Sequence, residues 1–260
     1  MNFEDNLTRL IDFVFKKNIK TNESEKAFWT RHWKERIKYV RRNKIPYELS
    51  DKWQLRIYNK MHKLFLNILD KIKNKKILEA GCGSGYSSIM LAKEGAKVYL
   101  LDNTKEALKY SKMISKFNKI KNVRFRKGNL FNIPYATSIF DITWNSGVIE
   151  HYKNKIIYKI IDEMKRVTKK DGLIMIAVPN LLTPEILYRM IKIGKGTERF
   201  FTKAKLRKIM EKTALKEIEI YSLDCVIPSF IPNWIIKKLE KFEFILAPLL
   251  GFMFVGIGKK

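Results

Sequence analysis

The chain has 260 residues, of which 46% are hydrophobic, and a formal net charge of +27 at pH 7. This length and hydrophobic content suit one α/β domain with an appendage and exclude a chain too polar to build a core. The two cysteines have no metal-ligand spacing, and residues 1–10 lack the apolar stretch of a secretory signal, so we expect no bound metal and a cytoplasmic location.

The positive charge has two explanations. Clustered Lys and Arg would neutralise nucleic-acid phosphates, but the excess is spread over all parts of the chain. A general preference for Lys and Ile with a single Gln, as in hyperthermophile proteins, gives the same composition. The densest basic run, residues 31–44, is where a polyanion or an anionic lipid surface would dock.

Residues 1–70 are predicted to be a helical N-terminal extension, because apolar side chains recur at helical spacing. Their aromatic members either pack on a core or line a cleft. The three stretches contain Leu7, Leu10, Ile11, Val14 and Phe15; Phe28, Trp29, Trp33, Ile37 and Tyr39; and Trp53, Ile57, Met61, Leu64, Phe65 and Ile68.

The segment Ile77-Leu78-Glu79-Ala80-Gly81-Cys82-Gly83-Ser84-Gly85 predicts a buried strand that enters a glycine-dense turn. Glycines at alternate positions permit positive φ angles and let a ligand approach the main chain. A helix is predicted over residues 86–94, and its first amide groups would present donors to an anionic ligand group. The segment therefore predicts a ligand-binding turn.

A second strand is predicted over residues 96–101, and Asp102 follows it. In doubly wound folds, an acid at this place, roughly 20 residues after the glycine turn, binds the ribose hydroxyl groups of a nucleoside. The alternative is that Asp102 caps the helix predicted over residues 104–117, a role that Asn103 or Thr104 would fill equally well.

The pattern Glu-x-Gly-x-Gly-x-Gly at Glu79–Gly85 resembles the first motif of class I S-adenosylmethionine-dependent methyltransferases. Further landmarks of the small-molecule and quinone-biosynthesis (type 11-like) branch follow in order, namely Asp102, residues 123–130, 140–151, 163–167, 170–180 and, more loosely, 199–206. The resemblance implies an α/β, Rossmann-like fold with a seven-stranded, mostly parallel sheet, helices on both faces and an antiparallel strand seven.

The same resemblance implies the domain organisation. Residues 71–260 would form the methyltransferase domain, with the cofactor half at 76–180 and a variable substrate-side part at 181–260 that contains strands six (215–223) and seven (251–258). The extension at 1–70 would fold over the cofactor cleft and line its substrate side.

S-adenosylmethionine is the cofactor that the resemblance implies. Glu79 would organise its methionine end, the glycine turn would approach it through main-chain groups, and Asp102 would hold the ribose. Asn129 departs from the Asp common in the family, yet its amide still offers a donor and an acceptor. The implied cofactor-binding residues are Glu79, Gly81, Cys82, Gly83, Gly85, Asp102, Asn103, Gly128, Asn129, Leu130, Asn145, Ser146 and Gly147.

A general base would assist transfer to an oxygen acceptor of high pKa. His151, just beyond the predicted fourth strand, is the first candidate and Glu150 the second. The alternative role of His151 is to cap the helix that follows. His32 and His62 are interpreted as packing or surface residues.

The region 226–258 is rich in Ile, Phe and Leu, and its longest uncharged run, 244–258, is too short and too broken by Pro and Gly to span a bilayer. We expect a helix followed by strand seven. The other interpretation is an apolar surface near the active site that accepts a lipid-like substrate or rests on a membrane as a peripheral contact.

Three functions remain open. The first is a methyltransferase acting on a small-molecule or lipid-like acceptor, the second an RNA-modifying methyltransferase that docks through residues 31–44, and the third a non-catalytic cofactor binder. Neither the Asn/Asp-Pro-Pro-Tyr motif of amino methyltransferases nor the Pro-Cys nucleophile of cytosine-C5 enzymes occurs in the chain.

Overall fold

A computed structural model of the chain describes residues 24–69, 71–180, 183–193, 199, 201–223 and 227–260. The helix predicted on Leu7 to Phe15 lies outside these residues. The described part of the extension is helical, as predicted: α1 (Glu25–Asn43), the single turn α2 (Tyr47–Ser50) and α3 (Lys52–Ile68). Side-chain caps fix the starts of two of these helices, because Ser24 accepts a hydrogen bond from the Ala27 amide and Asp51 from the Trp53 and Gln54 amides.

The remaining elements alternate between strand and helix up to β3, and β4 then follows β3 without an intervening helix. In chain order they are β1 (Lys76–Ala80), α4 (Tyr86–Lys93), β2 (Lys97–Asp102), α5 (Lys105–Phe117), β3 (Val123–Lys127), β4 (Phe140–Ser146), a 3-10 turn (Ile149–His151), α6 (Asn154–Val167), β5 (Thr168–Pro179), α7 (Pro184–Ile193), α8 (Lys203–Lys212), β6 (Lys216–Leu223), α9 (Asn233–Leu239), a 3-10 turn (Glu240–Phe242), α10 (Glu243–Leu250) and β7 (Met253–Lys259).

The strands form one seven-stranded sheet in the order β3-β2-β1-β4-β5-β7-β6. The β1–β2, β1–β4, β2–β3 and β4–β5 pairs are parallel, whereas β7 is antiparallel to both β5 and β6. The predicted Rossmann-like sheet with an antiparallel strand seven is therefore confirmed.

Two apolar cores cover the two faces of the sheet. One face packs against the extension, α4 and α5, and includes Phe65 and Trp144. The other packs against α6 and α8, and α6 contributes an amphipathic face of Ile157, Ile160, Ile161, Met164 and Val167. Helices on both faces leave the carboxyl ends of the parallel strands as the open edge of the sheet.

The strand order reverses direction between β1 and β4, because β2 and β3 lie on one side of β1 and β5 on the other side of β4. In open α/β sheets, ligands bind in the crevice at the carboxyl ends of the strands at such a point. Ala80, Asp102 and Ser146 are the last residues of β1, β2 and β4. The fold therefore brings the predicted motifs to one crevice.

The C-terminal helices α9 and α10 pack beside α3 through a buried ion pair. The carboxylate of Glu243 contacts the guanidinium of Arg56 and the ammonium of Lys60, and Glu240 pairs with Nε of Arg56 at 3.0 Å. None of the described helices combines the length and the apolar character that crossing a membrane requires.

Candidate cofactor and substrate site

A cavity of about 530 Å³ opens at the carboxyl ends of β1, β2 and β4. The glycine turn and the strand ends form its floor, and α1 and α3 form its roof. Its lining includes Glu25, Lys26, Trp29, Trp33, Gln54, Tyr58, Glu79, Gly81, Cys82, Gly83, Ser84, Tyr86, Ser87, Asp102, Asn103, Asn129, Leu130, Phe131, Trp144, Ser146, Gly147, Val148, His151 and Tyr152.

Main-chain hydrogen bonds hold the glycine turn against the end of β2. The amides of Gly81 and Cys82 both donate to the Leu101 carbonyl, at 2.8 and 2.9 Å, and the Gly85 amide donates to the Cys82 carbonyl at 2.7 Å. Gly83 has φ +51°, in the left-handed region where a side chain is strained. The turn is therefore rigid before any ligand arrives.

Asp102 joins this turn to β2. One carboxylate oxygen accepts from the Gly83 amide at 3.0 Å, and the other accepts from the amide and hydroxyl of Thr104, each at 2.9 Å. Thr104 caps α5 by accepting a hydrogen bond from the Ala107 amide at 3.3 Å. The helix cap considered for Asp102 is therefore Thr104. Burial raises the pKa of Asp102.

Glu79 carries a buried carboxyl group that faces the cavity. The residue is 5% exposed, and its Oε2 has no hydrogen-bond partner among the described residues. Burial raises the pKa of Glu79 to about 8, the nearby charge of Asp102 acts in the same direction, and a hydrogen bond with Ser88 opposes them. A buried acid whose Oε2 has no partner among the described residues is suited to a cationic ligand.

The cavity reverses the charge balance of the chain. Three carboxyl groups, those of Glu25, Glu79 and Asp102, line it together with one lysine, Lys26, although basic residues outnumber acidic ones two to one in the sequence, 53 to 26. The lining therefore favours a cation over an anion, and a bound cation would lower the raised pKa of Glu79.

Aromatic rings from α1 form one wall of the cavity. The rings of Trp29 and Trp33 stack with centroids 6.3 Å apart, and His151 meets Trp29 edge-on at 5.8 Å. The Trp33 ring also lies 5.6 Å from that of Tyr110 on α5. The extension thus covers the crevice. His151, at the end of the 3-10 turn after β4, contacts the extension at Trp29.

His32 supports this wall from behind. Burial lowers its pKa to about 4, with further contributions from the charges of Arg36 and Arg31. The Nε of Arg36 donates to Nε2 of His32 at 3.5 Å, and the imidazole lies 4.7 Å from the Trp33 ring. His32 is therefore a neutral packing residue, as the sequence suggested.

A buried acid anchors the helical extension to the domain. Glu48 on α2 is 3% exposed and accepts a hydrogen bond from the Tyr110 hydroxyl at 2.6 Å. The Tyr110 oxygen in turn accepts from the Tyr47 amide at 3.2 Å. Burial raises the pKa of Glu48. These bonds fix α2, and with it the start of α3, against α5.

At the turn after β3, the side chain of Asn129 is already partly used. Its Oδ1 accepts from the Phe131 amide at 2.9 Å, which orients the amide group. A ligand would meet Nδ2, which only donates, and the one acceptor lone pair that remains on Oδ1. This position therefore differs chemically from an Asp, which would keep a second oxygen entirely free.

Most of the predicted residues lie at the cavity, although their roles toward a ligand stay predictions. Those in the lining are Glu79, Gly81, Cys82, Gly83, Asp102, Asn103, Asn129, Leu130, Ser146, Gly147 and His151. His151 does not cap α6, since that helix begins after Lys153 without a side-chain cap.

Four predicted residues lie outside this lining. Asn145 is fully buried and directs its Nδ2 to the sulfur of Met164, 3.3 Å away, because alternation along β4 turns it from Trp144 and Ser146 to the opposite face. Glu150 is 2% exposed and lies outside the lining, so its role as a base stays a prediction.

The other two are glycines required by packing. An added Cβ would lie 2.5 Å from Cδ1 of Leu100 at Gly85 and 2.6 Å from Cδ1 of Leu101 at Gly128. Among the lining residues that sequence reasoning did not assign are Gln54, Tyr58 and Trp144. The helical spacing of Gln54 and Tyr58, and the shared strand face of Trp144 and Ser146, were the available signals.

Known proteins resemble this chain over about half of its length. It is 32% identical over 120 residues to an uncharacterized methyltransferase of Schizosaccharomyces pombe, covering 43% of this chain and 42% of that protein. It is 27% identical over 154 residues to a ubiquinone biosynthesis O-methyltransferase of Pelagibacter ubique (55% and 62%). It is 31% identical over 138 residues to a protein of Methanocaldococcus jannaschii named as a protein N5-glutamine methyltransferase (45% and 68%). The chain spans less than half the length of the first of these relatives.

Among solved structures, a SAM-dependent methyltransferase from Aquifex aeolicus superimposes with a TM-score of 0.58 at 17% identity, over 82% of this chain and 95% of that one. This likeness concerns the fold. The model of the family described as "Methyltransferase domain" matches residues 71–225, which is more than half of the chain. The resemblance predicted from the Glu79–Gly85 motif is thereby confirmed, and the chain belongs to this family of methyltransferase domains.

Proposed function

We propose that the protein is an S-adenosylmethionine-dependent methyltransferase that acts on a small planar or lipid-like acceptor. The observation that carries the proposal is the division of one cavity into two chemical halves. Glu79, Asp102 and the glycine turn form an acidic, main-chain-rich half, and the rings of Trp29 and His151 form an aromatic half, with Trp33 between the two halves, over Gly83.

The first half fits the cofactor. Bound there, S-adenosylmethionine supplies an electrophilic methyl group on a sulfonium. The carboxylate of Glu79 would pair with the cationic methionine end, since its Oε2 is buried without a partner among the described residues. Asp102 would accept hydrogen bonds from the ribose, and Asn129 and Leu130 would flank the adenine.

The second half fits an acceptor with a flat or extended apolar body. Trp29 and Trp33 would hold it by stacking, which is worth about 0.5–1.5 kcal/mol for each well-placed ring pair. Positioning of this kind is most of what methyl transfer needs from a protein. For a hydroxyl acceptor, an imidazole nitrogen of His151 would take the proton and so raise the fraction of nucleophile.

The names of the relatives support a small-molecule acceptor unevenly. One relative is named for ubiquinone biosynthesis and another for N5-glutamine of a protein. The Asn/Asp-Pro-Pro-Tyr motif that accompanies amino acceptors is absent, since Asn145-Ser146-Gly147-Val148 occupies that place. The aromatic half of the cavity therefore favours the small-molecule or lipid-like class.

The test is incubation with methyl-labelled S-adenosylmethionine and separated metabolite, lipid, RNA and protein pools from the source cell. We expect label in metabolites or lipids, a loss of labelling in Glu79→Gln, and slower labelling in His151→Gln than in His62→Gln, which changes a partly buried histidine outside the cavity. Label in RNA or protein would show that the acceptor is a macromolecule and would overturn the proposed acceptor class. Cofactor binding without label in any pool would favour the non-catalytic alternative.

A further inference from the structure

The C-terminal segment exposes large apolar side chains on one side. We call Phe230, Trp234, Phe242, Ile245 and Leu246 the C-terminal apolar face; each is about half exposed or more, up to 64% for Trp234 and 61% for Ile245. Single exposed apolar residues are ordinary, but five within one short segment are not.

The segment is amphipathic because its opposite side is bound to the domain. Ile236, Glu243 and Ala247 recur at helical spacing along α9 and α10 and are buried. Glu243 is held there by Arg56 and Lys60 of α3. The apolar face therefore points outward on a firmly attached pair of helices.

Charge is also divided between the two sides. The acids Glu240 and Glu243 pair with α3, whereas Lys237, Lys238 and Lys241 are exposed. The Lys238 ammonium lies 5.6 Å from the Trp234 ring and the Lys241 ammonium 5.0 Å from the Phe242 ring. Lysines and aromatic rings thus alternate on the exposed side.

A basic groove continues this side. Phe230, Ile236 and Lys237 form one lip of a groove of about 960 Å³, and Arg56, Lys60 and Lys63 of α3 form the other. Two other residues of α3, Gln54 and Tyr58, line the cofactor cavity. Helix α3 therefore lies between this groove and the candidate site.

We propose that the C-terminal apolar face docks on a bilayer of anionic lipids. Apolar side chains among lysines are the composition of a helix that lies in a membrane interface, with rings below the headgroups and ammonium groups beside the phosphates. A second copy of this chain fits less well, because it would bring together two surfaces of the same sign on chains that each carry +27. This docking is independent of the catalytic proposal, because it needs neither cofactor nor turnover.

The test is co-flotation of the full chain with phosphatidylcholine vesicles and with equal-part phosphatidylcholine–phosphatidylglycerol vesicles, without cofactor. We expect binding to the anionic vesicles and at least a tenfold loss in Trp234→Ser/Ile245→Ser and in Lys238→Glu/Lys241→Glu. The matched controls lie on α5, which packs near the opposite edge of the sheet. Lys109→Glu/Lys116→Glu repeats the charge change, and Phe117→Ser removes an exposed ring.

Insertion has its own measurement. Lipids brominated in the acyl chain should quench part of the tryptophan fluorescence, and Trp234→Phe should bind equally while losing that part. The proposal is overturned if wild type fails to float, or if the α5 charge variant loses as much binding as the lysine variant. It is also overturned if the serine variant, with unchanged melting temperature, abolishes self-association or RNA retention but not flotation.

Discussion

The indole of Trp33 occupies the space that a side chain on Gly83 would need, since Cζ2 of Trp33 lies 2.7 Å from the Cβ position of Gly83. We expect Gly83→Ala to lower the free energy of unfolding by about 1–3 kcal/mol, because alanine is strained at a positive φ and would displace the ring. Chemical denaturation of Gly83→Ala, Trp33→Ala and the double variant measures this.

The double variant distinguishes the contact from backbone strain. If the ring and the glycine are in contact, the two losses should be less than additive by at least about 0.5 kcal/mol. Strict additivity would show that α1 does not rest on the turn.

Glu79→Gln removes the acid proposed to meet the cationic end of the cofactor. We expect calorimetric affinity for S-adenosylmethionine to fall about 10- to 100-fold, which corresponds to the 1.5–3 kcal/mol typical of a hydrogen bond to a charged group. Glu94→Gln, which changes an exposed carboxylate, is the control and should bind normally. Equal affinity in all three proteins would remove Glu79 from the site.

The raised pKa of Glu79 also predicts a pH dependence of stability without ligand. Its ordinary value is 4.5 and its value in the fold is about 8. Between these values the folded state keeps a proton that the unfolded state releases, so this group makes the protein less stable as pH rises from 4.5 to 8. Below 4.5 both states are protonated and the effect disappears. The difference between the melting temperatures of Glu79→Gln and wild type should therefore shift in favour of the variant as pH rises from 4.5 to 8. A difference that stays constant over this window would contradict the assignment.

Asn129→Asp should tighten cofactor binding. The exocyclic amino group of adenine needs an acceptor, and the Asn129 Oδ1 already accepts from the Phe131 amide, which leaves it one lone pair. An aspartate would keep the turn and offer a second oxygen. We expect a gain of about 1 kcal/mol, or roughly fivefold in affinity. Adenosine should show the same gain, and weaker binding of both ligands would mean that adenine lies elsewhere.

Asn145→Leu should leave cofactor affinity unchanged. The Asn145 side chain faces Met164, away from the cavity, and its Oδ1 has no partner among the described residues. Replacing it with an apolar group of similar size should hold or raise stability, because an unsatisfied buried polar atom is removed. The contrast is Ser146→Leu, which faces the cavity and should weaken binding; a loss in the Asn145 variant would restore this residue to the site.

The parts of the site that depend on local sequence could be predicted. The turn at Gly81–Gly85 and the acid at Asp102 are short-range features. Asp102 and every residue of the turn except Gly85 line the cavity. The position of Asn145 outside the lining could also have been predicted, because strand alternation already separates it from Trp144 and Ser146. Glu150 is different, since its burial depends on how the 3-10 turn packs.

The aromatic wall could not be assigned residue by residue. Helical spacing marked Trp29 and Trp33 as one face, but which of them would meet His151 or Gly83 depends on the docking of α1, and no local pattern encodes that. The buried bond between Glu48 and Tyr110, which helps to set this docking, joins residues far apart in the chain.

The placement of α1 has a consequence for the reaction cycle. Through Trp33 and Trp29 this helix contacts both the turn at Gly83 and the ring of His151, so it encloses whatever occupies the two halves of the cavity. For the proposed reaction, we expect the exchange of spent ligands to require movement of α1, so that this movement contributes to the turnover number.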